Sequence, residues 1–139
     1  MTAPDGAGRT MVEVSGTEAL WLLEDTGSGR LAYAQREAVV IRPAVHVFEY
    51  GRLVVRAPVQ TAALSDRGLL TYQADDLGSP SRAGWSVTVI GPAEEIDDAH
   101  EVAHYRRTLR GWVHGPHDAV LRIRPQQVSG YRLHSGQPR

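Results

Sequence analysis

The chain has 139 residues, the size of one domain with a full hydrophobic core. Apolar residues make up 42% of the sequence and charged residues 22%, as in ordinary soluble globular domains. A net charge of −1 argues against nucleic acid or an anionic membrane as the partner. The absence of cysteine excludes disulfides, thiolate metal sites and thiol nucleophiles.

All 15 basic residues are arginine. Without lysine no Schiff base can form, and a bound phosphate has to be held by arginine, hydroxyl groups and backbone amides. No segment reaches the apolar length of a membrane span, and residues 1–8 lack the charged and apolar regions of a signal peptide. We therefore expect a cytoplasmic protein.

The first predicted helix follows a tail. Residues 1–14 predict a flexible tail and lead-in, residues 15–133 the domain, and residues 134–139 a second tail. Ser15 with Glu18 matches a capping box, which predicts a short helix ending near Gly27. Strands are then predicted at 30–34, 38–48, 53–56 and 69–72, with a turn at 50–51 and one helical turn at 62–64.

The second half of the sequence continues this pattern. It predicts a loop at 75–84, a long strand at 85–96 bent at Gly91 and Pro92, a helix from Asp97 to about Leu109, and strands at 120–124 and 128–133. Six or seven strands without strand–helix–strand alternation do not suit a doubly wound sheet. The pattern alone leaves an antiparallel barrel and an open α+β sheet as alternatives.

Arg42 and Pro43 interrupt the apolar, β-branched strand at 38–48. Proline removes a donor from the strand ladder, so its position predicts a strand edge or a bulge. One interpretation is a barrel corner with Arg42 in solvent. The other is a ligand site, in which backbone groups at residues 43–45 face the ligand and Arg42 binds a phosphate.

His100, Glu101 and His104 match the H-E-x-x-H signature of zinc peptidases. At 100° per residue the apolar stripe of this helix consists of Ala99, Val102, Tyr105 and Leu109. The two histidines lie on the opposite side, and Arg107 and Arg110 stand where the extended signature needs a glycine and a third histidine. We therefore expect a helix with solvent-facing histidines that covers one end of the domain, and no metal site.

Three stretches together resemble a known family. They are RPAVHVFEYGRLVVR at 42–56, GWSVTVIG at 84–91 and LRIRPQQVSGYR at 121–132. In this order the chain is similar to the pyridoxamine 5′-phosphate oxidase-like family of flavin-binding split β-barrels. The resemblance implies a mainly β, antiparallel split barrel and a two-fold homodimer with flavin mononucleotide (FMN) at the subunit interface. It also implies oxidoreductase chemistry that belongs to the cofactor, on a small-molecule substrate that the sequence does not identify.

The residues that the resemblance and its neighbouring segments assign to the cofactor are Arg42, Pro43, Ala44, Val45, His46, Arg56, Ala57, Thr61, Trp85, Ser86 and Trp112. Arg42 and the 56–57 region would contact the phosphate, and the backbone at 43–45 would lie near the flavin ring. His46 would line the pocket, although taken alone it is more typical of a hydrogen-bonded strand histidine. No catalytic acid or base is assigned.

For Trp85, Ser86 and Trp112 the sequence also allows a structural role in place of cofactor binding. Trp85 is explained by packing over a barrel mouth, and Ser86 either hydrogen-bonds the flavin ring or is a buried serine with a protein partner. Trp112 either closes over the flavin of the partner subunit or packs in its own loop.

Residues 57–64 depart from the family pattern. The loop that normally leads to a phosphate-gripping lysine or arginine has no basic residue before Arg67, so Gln60 and Thr61 are left as uncharged donors. Losing one charge-assisted contact costs about 1.5–3 kcal/mol. The alternatives are therefore an FMN-dependent oxidoreductase with weakened binding, a deazaflavin-dependent reductase, and a non-enzymatic barrel that binds a ligand or only dimerises.

Overall fold

The computed structural model describes residues 10–60, 69–77, 83–111 and 117–134. These residues form eight strands and two helices. The strands are β1 (Thr10–Val14), β2 (Ser28–Gln35), β3 (Ala38–Glu49), β4 (Arg52–Pro58), β5 (Leu69–Asp76), β6 (Gly84–Glu95), β7 (Asp118–Ile123) and β8 (Gln127–His134). The helices are α1 (Gly16–Glu24) and α2 (Ala99–Thr108). Neither helix is long and apolar enough to cross a membrane, within the part of the chain described.

Six strands close an antiparallel barrel in the order β7–β4–β3–β2–β5–β6, because β6 also pairs with β7. The remaining two strands extend the sheet from β6, with β8 next to β6 and β1 at the outside. The predicted antiparallel split β-barrel is therefore confirmed, and the open α+β alternative is wrong.

The split in the barrel lies at Gly91. Up to Ile90, β6 pairs with β8, and from Ala93 onward it pairs with β7. A Cβ atom on Gly91 would lie 1.7 Å from the carbonyl oxygen of Arg124, which belongs to the β7–β8 connection. Only glycine fits where this connection crosses the strand. The sequence predicted a bend at this residue, and here β6 passes from one partner strand to the other.

The barrel interior is filled by alternate side chains of its strands. The largest of the fully buried ones are Leu31, Leu53, Val55, Tyr72, Val87, Val89, Leu121 and Ile123. Helix α1 packs on this core through Ala19, Leu22 and Leu23. Its N-cap is Ser15, whose hydroxyl accepts a hydrogen bond from the Glu18 amide at 3.1 Å, which confirms the predicted cap.

Helix α2 packs against the outside of the barrel, over β4 and β7. Its contacts form a second apolar cluster with Val45, Val54, Ile96, Leu109 and Val120. Val102 and Tyr105 point to this cluster, whereas His100 and His104 are exposed. The predicted orientation of the two histidines is confirmed. The N-cap is Asp98, one residue later than predicted, and its carboxylate accepts from the Glu101 amide at 3.0 Å.

Both ends of the domain extend further than the sequence predicted. Residues 10–14, expected to belong to the tail, form β1, and His134, assigned to the second tail, pairs with Thr10. Strand β1 lies at the edge of the sheet and all its side chains but Val14 are exposed. It therefore lacks the alternation of buried and exposed residues by which a strand is recognised in a sequence. The helical turn predicted at 62–64 lies outside the described residues.

Candidate functional site

A cavity of about 420 Å³ opens beside the last residues of β2 and β4 and the Arg42–Pro43 segment of β3. It is lined by Tyr33, Gln35, Arg42, Pro43, Pro58, Gln60 and His117. Two of the predicted site residues, Arg42 and Pro43, thus lie together at a real concavity. Gln60, which the sequence suggested as an uncharged donor, lies there too.

Arg42 brings an available cation to this cavity. Its side chain is exposed, and its one hydrogen bond to another described residue goes from Nη1 to the carbonyl oxygen of the adjacent Ile41, at 3.1 Å. No carboxylate among the described residues pairs with it. A guanidinium with most of its donors unused can form the two-bond fork that a phosphate accepts.

Pro43 lies on a strand segment with only one partner among the described residues. Strand β3 pairs with β2 from Ala38 to Val45, but its pairing with β4 begins only at Val45. The preceding residues therefore have a free edge, where the missing N–H of proline costs least. The edge position predicted for Pro43 is confirmed, and backbone groups on this edge can face a ligand.

Arg56, by contrast, lies under α2 and not at the cavity. Its Nε and Nη2 donate to the two carboxylate oxygens of Asp118 at 2.9 and 2.7 Å, and its Nη1 donates to the carbonyl oxygens of Leu109 (2.7 Å) and Arg106 (3.3 Å). Both side chains of the ion pair are more than 90% buried. A phosphate at Arg56 would have to displace Asp118, so this geometry supports a structural role for Arg56.

The charges of Arg56, Asp118 and Arg106 stabilise one another. The hydrogen bond from Arg56 lowers the pKa of Asp118, with burial opposing and the charge of Arg106 assisting. The same hydrogen bond raises the pKa of Arg56 against the effect of its burial. Arg106 adds a contact from Nη1 to the Asp118 carboxylate at 2.6 Å. The group remains an ion pair over the whole neutral range.

His46 is a core residue with both ring nitrogens hydrogen-bonded. It is 3% exposed, with Nε2 2.9 Å from the carbonyl oxygen of Leu23 and Nδ1 2.5 Å from the hydroxyl of Tyr72. Because a carbonyl oxygen can only accept, Nε2 carries the proton and Nδ1 accepts from Tyr72. Burial lowers the pKa of His46, the bond to Leu23 opposing, so the ring is neutral. The strand-histidine interpretation is confirmed; the cavity does not include His46.

Four other predicted site residues have side chains that are buried away from the cavity. Ala44, Ala57 and Trp85 pack in the barrel core, and Val45 packs in the cluster under α2. Their side chains cannot line the cavity, although the backbone of Ala44 belongs to the free edge. Thr61 and Trp112 lie outside the described residues.

Ser86 lies on the outer face of the barrel, in a polar network. Its hydroxyl oxygen accepts from Nε2 of Gln73 at 3.0 Å, and the same amide nitrogen donates to Asp75 at 2.9 Å. Nη1 of Arg30 donates to the side-chain oxygen of Gln73 and, at 3.2 Å, to Asp75. The Ser86 hydroxyl therefore has a protein partner and keeps its own proton to donate.

The strand register relates this network to Pro43. Pro43 pairs with Arg30, Arg30 pairs with Gln73, and Ser86 lies on β6 beyond Gln73. All four residues share the outer face, and Pro43 and Ser86 lie three strands apart, with Ser86 displaced two residues along β6 from the partner of Gln73. Sequence reasoning missed Arg30 and Gln73. The signal was present: each is the polar residue of an alternating strand, on the same face as its cross-strand partner.

The described residues contain no group of three histidine, aspartate or glutamate side chains placed to hold a metal ion. His117 lines the cavity, and the other described residues that line it include no carboxylate and no second histidine. The H-E-x-x-H pattern is thus carried by a surface helix.

The fold defines a class of protein, the split β-barrel of the flavin-binding type. The chain belongs to the pyridoxamine 5′-phosphate oxidase family, whose sequence profile matches residues 15–132. The family resemblance of the sequence is confirmed.

Three relatives illustrate the similarity. The chain is 38% identical over 134 residues to the uncharacterized protein Rv0080 of Mycobacterium tuberculosis, covering 91% of this chain and 88% of that protein. The crystal structure of a FAD-binding protein from Mesorhizobium loti has a TM-score of 0.73 at 23% identity, covering 91% of this chain and 98% of that one. The FAD-binding protein from Mycobacterium smegmatis has a TM-score of 0.67 at 26% identity, covering 90% of this chain and all, 100%, of that one.

Proposed function

We propose that the protein binds FMN at the cavity of Arg42 and Gln60 and acts as a flavin-dependent oxidoreductase. The observation that carries the proposal is the unpaired guanidinium of Arg42 beside the free edge of β3. Membership of the pyridoxamine 5′-phosphate oxidase family and the flavin-binding structural relatives support a flavin as the ligand.

The residues at the cavity fit such a group. Arg42 would hold the phosphate as a two-bond fork, with the Gln60 amide as a second donor. The free backbone edge at 43–44 would face the polar side of the ring. When bound, the flavin supplies hydride transfer between a reduced donor and an acceptor, while the protein supplies orientation and excludes water. Among the described residues Arg42 is the one arginine that lines this cavity, and Arg56 is held by Asp118. Because a single arginine is available for the phosphate, we expect a modest affinity for FMN.

We further propose a homodimer formed through the outer face of β3, β2 and β5. Beside the polar network of Arg30, Gln73 and Ser86, this face has an apolar part that is open to solvent. Val39, Ile41 and Leu69 are 71%, 56% and 50% exposed. In the register Val39 pairs with Ala34 and Ile41 pairs with Ala32, so apolar side chains adjoin one another across β3 and β2. A second copy on this face would bury these side chains and cover Pro43 and Ser86, on the same face.

The test is a titration of cofactor-stripped protein, at fixed ionic strength, with FMN followed by flavin fluorescence. Saturable binding in the micromolar range is expected, weakened about tenfold or more in Arg42→Gln because a charge-assisted fork is lost. Arg107→Gln, an exposed arginine on α2, is the matched control and should leave the affinity unchanged.

Parallel titrations with FAD and with a deazaflavin identify the cofactor. FMN binding more tightly than either supports the proposal. Tighter binding of FAD or deazaflavin at the same Arg42-dependent site would overturn FMN as the ligand. If none of the three binds, the proposed flavin-dependent activity is overturned, and a non-enzymatic role in ligand binding or dimerisation is left.

A further inference from the structure

Two histidines stand on the side of α2 that faces away from the barrel. His100 and His104 are both exposed, and within the described part of the chain neither imidazole has a hydrogen bond or an ion pair. The ring of His104 packs against that of Tyr105 in a T-shaped contact, with 4.9 Å between the ring centres. This contact orients the His104 ring. Both imidazoles therefore keep a ring nitrogen available for a ligand.

The spacing of the two histidines suits a single metal ion. Residues four apart on a helix have their Cβ atoms about 5–6 Å from each other and point the same way, so both imidazoles can reach one ion. Imidazole nitrogen is a preferred ligand of Zn²⁺, which takes about four ligands in a tetrahedral arrangement. Among the described residues no third histidine or carboxylate is placed to join the pair. One copy of the chain therefore supplies half of a zinc site.

Glu101, the acidic residue of the H-E-x-x-H pattern, is held by Arg122. Its carboxylate contacts Nη2 of Arg122 at 3.0 Å, and Nη1 of the same arginine contacts Glu94 at 3.1 Å. These contacts draw Glu101 towards β7, on the flank of the helix. A metal ion on the two histidines would therefore lack the general base of a zinc peptidase, and the pair is suited to binding.

The charges along α2 allow a second copy of the chain to supply the other half. Asp97 lies just before the N-cap of the helix, and Arg107 lies in its last turn. Both are exposed, and neither side chain has an ion pair with another described residue. In an antiparallel pair of helices, positions at equal distances from the two-fold axis face each other. An axis at position 102 brings His100 opposite His104 of the second copy and, at the same time, Asp97 opposite Arg107 of the second copy.

We propose that α2 forms a zinc-bridged contact between two copies of this chain. One Zn²⁺ binds His100 and His104 of each copy, and ion pairs between Asp97 and Arg107 flank the ion on both sides. Ala103, exposed between the two histidines, leaves room for the second helix. The dimer proposed above uses β3, β2 and β5, whereas α2 covers β4 and β7, so neither contact depends on the other. Because this contact forms only with zinc, substitutions on this face leave FMN binding by the metal-free protein unchanged.

The test adds Zn²⁺ to the metal-free full chain. Competition with a chromophoric chelator measures the stoichiometry, and sedimentation velocity measures the size of the particle. We expect one Zn²⁺ per two chains. We also expect a sedimentation coefficient that rises with zinc and falls again with EDTA, whether the metal-free protein is a monomer or a dimer.

Histidine variants identify the ligands. His100→Gln and His104→Gln should each lose the zinc-dependent rise in sedimentation coefficient, because each copy would then supply a single nitrogen. His134→Gln, which changes an exposed histidine at the end of β8, is the matched control and should behave like the original protein. Association that persists in both α2 variants would overturn the site, as would the absence of zinc binding. One Zn²⁺ per chain without a change in size would overturn the bridge.

A charge exchange tests the antiparallel arrangement. Arg107→Asp places two carboxylates opposite each other on both sides of the metal, and it should weaken the zinc-dependent association about tenfold or more. Combining it with Asp97→Arg brings opposite charges together again and should restore the association. Failure of the double variant to associate better than Arg107→Asp alone would overturn the antiparallel arrangement.

Discussion

Arg56 and Asp118 form a two-bond ion pair between β4 and β7, with nitrogen–oxygen distances of 2.9 and 2.7 Å. Through its remaining nitrogen, Arg56 also donates to the carbonyl oxygens of Arg106 and Leu109. One side chain thus ties the barrel wall to the last turn of α2, whose carbonyls have no partner within the helix. The family resemblance suggested Arg42 and Arg56 for phosphate binding, and of these two Arg56 has its donors taken by protein partners.

Removing one partner of this pair should be costly because the other would stay buried and unpaired. We expect Asp118→Asn to lower the free energy of unfolding by about 3 kcal/mol, measured by urea denaturation. Asp75→Asn is the matched control, because it breaks the exposed ion pair with Arg30 and should cost less than about 1 kcal/mol. Equal losses in the two variants would contradict a special role for Asp118.

The free energy of unfolding should depend on pH because His46 is buried in the folded state. Because the pKa of His46 is lowered in the folded state, the unfolded chain binds a proton first as pH falls below about 6.5. The contribution of neutral His46 to the free energy of unfolding is fully present above that pH and is lost as pH falls towards the pKa of the folded state. The free energy of unfolding should therefore change with pH by at most about 1.4 kcal/mol per pH unit. Urea denaturation between pH 5 and pH 7.5, roughly the range where histidine titrates, measures the slope.

Two histidine variants test whether His46 causes this pH dependence of the free energy of unfolding. His46→Gln should flatten it, although the loss of two buried hydrogen bonds lowers stability at every pH. His100→Gln changes an exposed residue of α2 and should leave the slope as it was. An unchanged slope in His46→Gln would show that another group carries the titration.

The fold was predictable where local chemistry decides the structure. Ser15 caps α1 through a hydrogen bond three residues away, and Tyr50 with Gly51 forms the turn expected of them. Pro43 marks a strand edge because its nitrogen cannot donate. Each of these signals depends on neighbours in sequence, which a single chain displays.

The candidate site was harder to predict because it depends on strand pairing. Arg42 and Arg56 look equivalent in the sequence, yet Arg56 meets Asp118, 62 positions further along the chain. Gln73 gains its network from Arg30 and Ser86, which lie on two neighbouring strands. Strand order and register decide these contacts, and neither is written in local composition or periodicity.

Gly29 should tolerate no side chain. A Cβ atom at this position would lie 2.5 Å from the carbonyl oxygen of Gln73 and 2.7 Å from the hydroxyl of Tyr72, which is hydrogen-bonded to His46. We expect Gly29→Ala to destabilise the protein by about 1–3 kcal/mol, because β2 and β5 must separate. Gly27→Ala is the control, since its nearest neighbour would be 3.9 Å away. Thermal unfolding of both variants checks the prediction, and equal midpoints would refute it.

The outer face of β3 offers the sharpest test of assembly. Ile41→Asp places a charge in the proposed subunit interface without touching the barrel core. We therefore expect sedimentation velocity to show a dimer for the original protein and a monomer for the variant. FMN affinity should fall with it, because a second copy would no longer cover Pro43 and Ser86.

Trp21→Asp is the matched control for this substitution. Trp21 is also an exposed apolar residue, 64% exposed, but it lies on α1 and not on the proposed interface. Its variant should keep both the dimer and the FMN affinity of the original protein. If Trp21→Asp separates the subunits and Ile41→Asp does not, the interface lies on the helical side of the barrel. The outer face of β3 would then be free to accept a different partner.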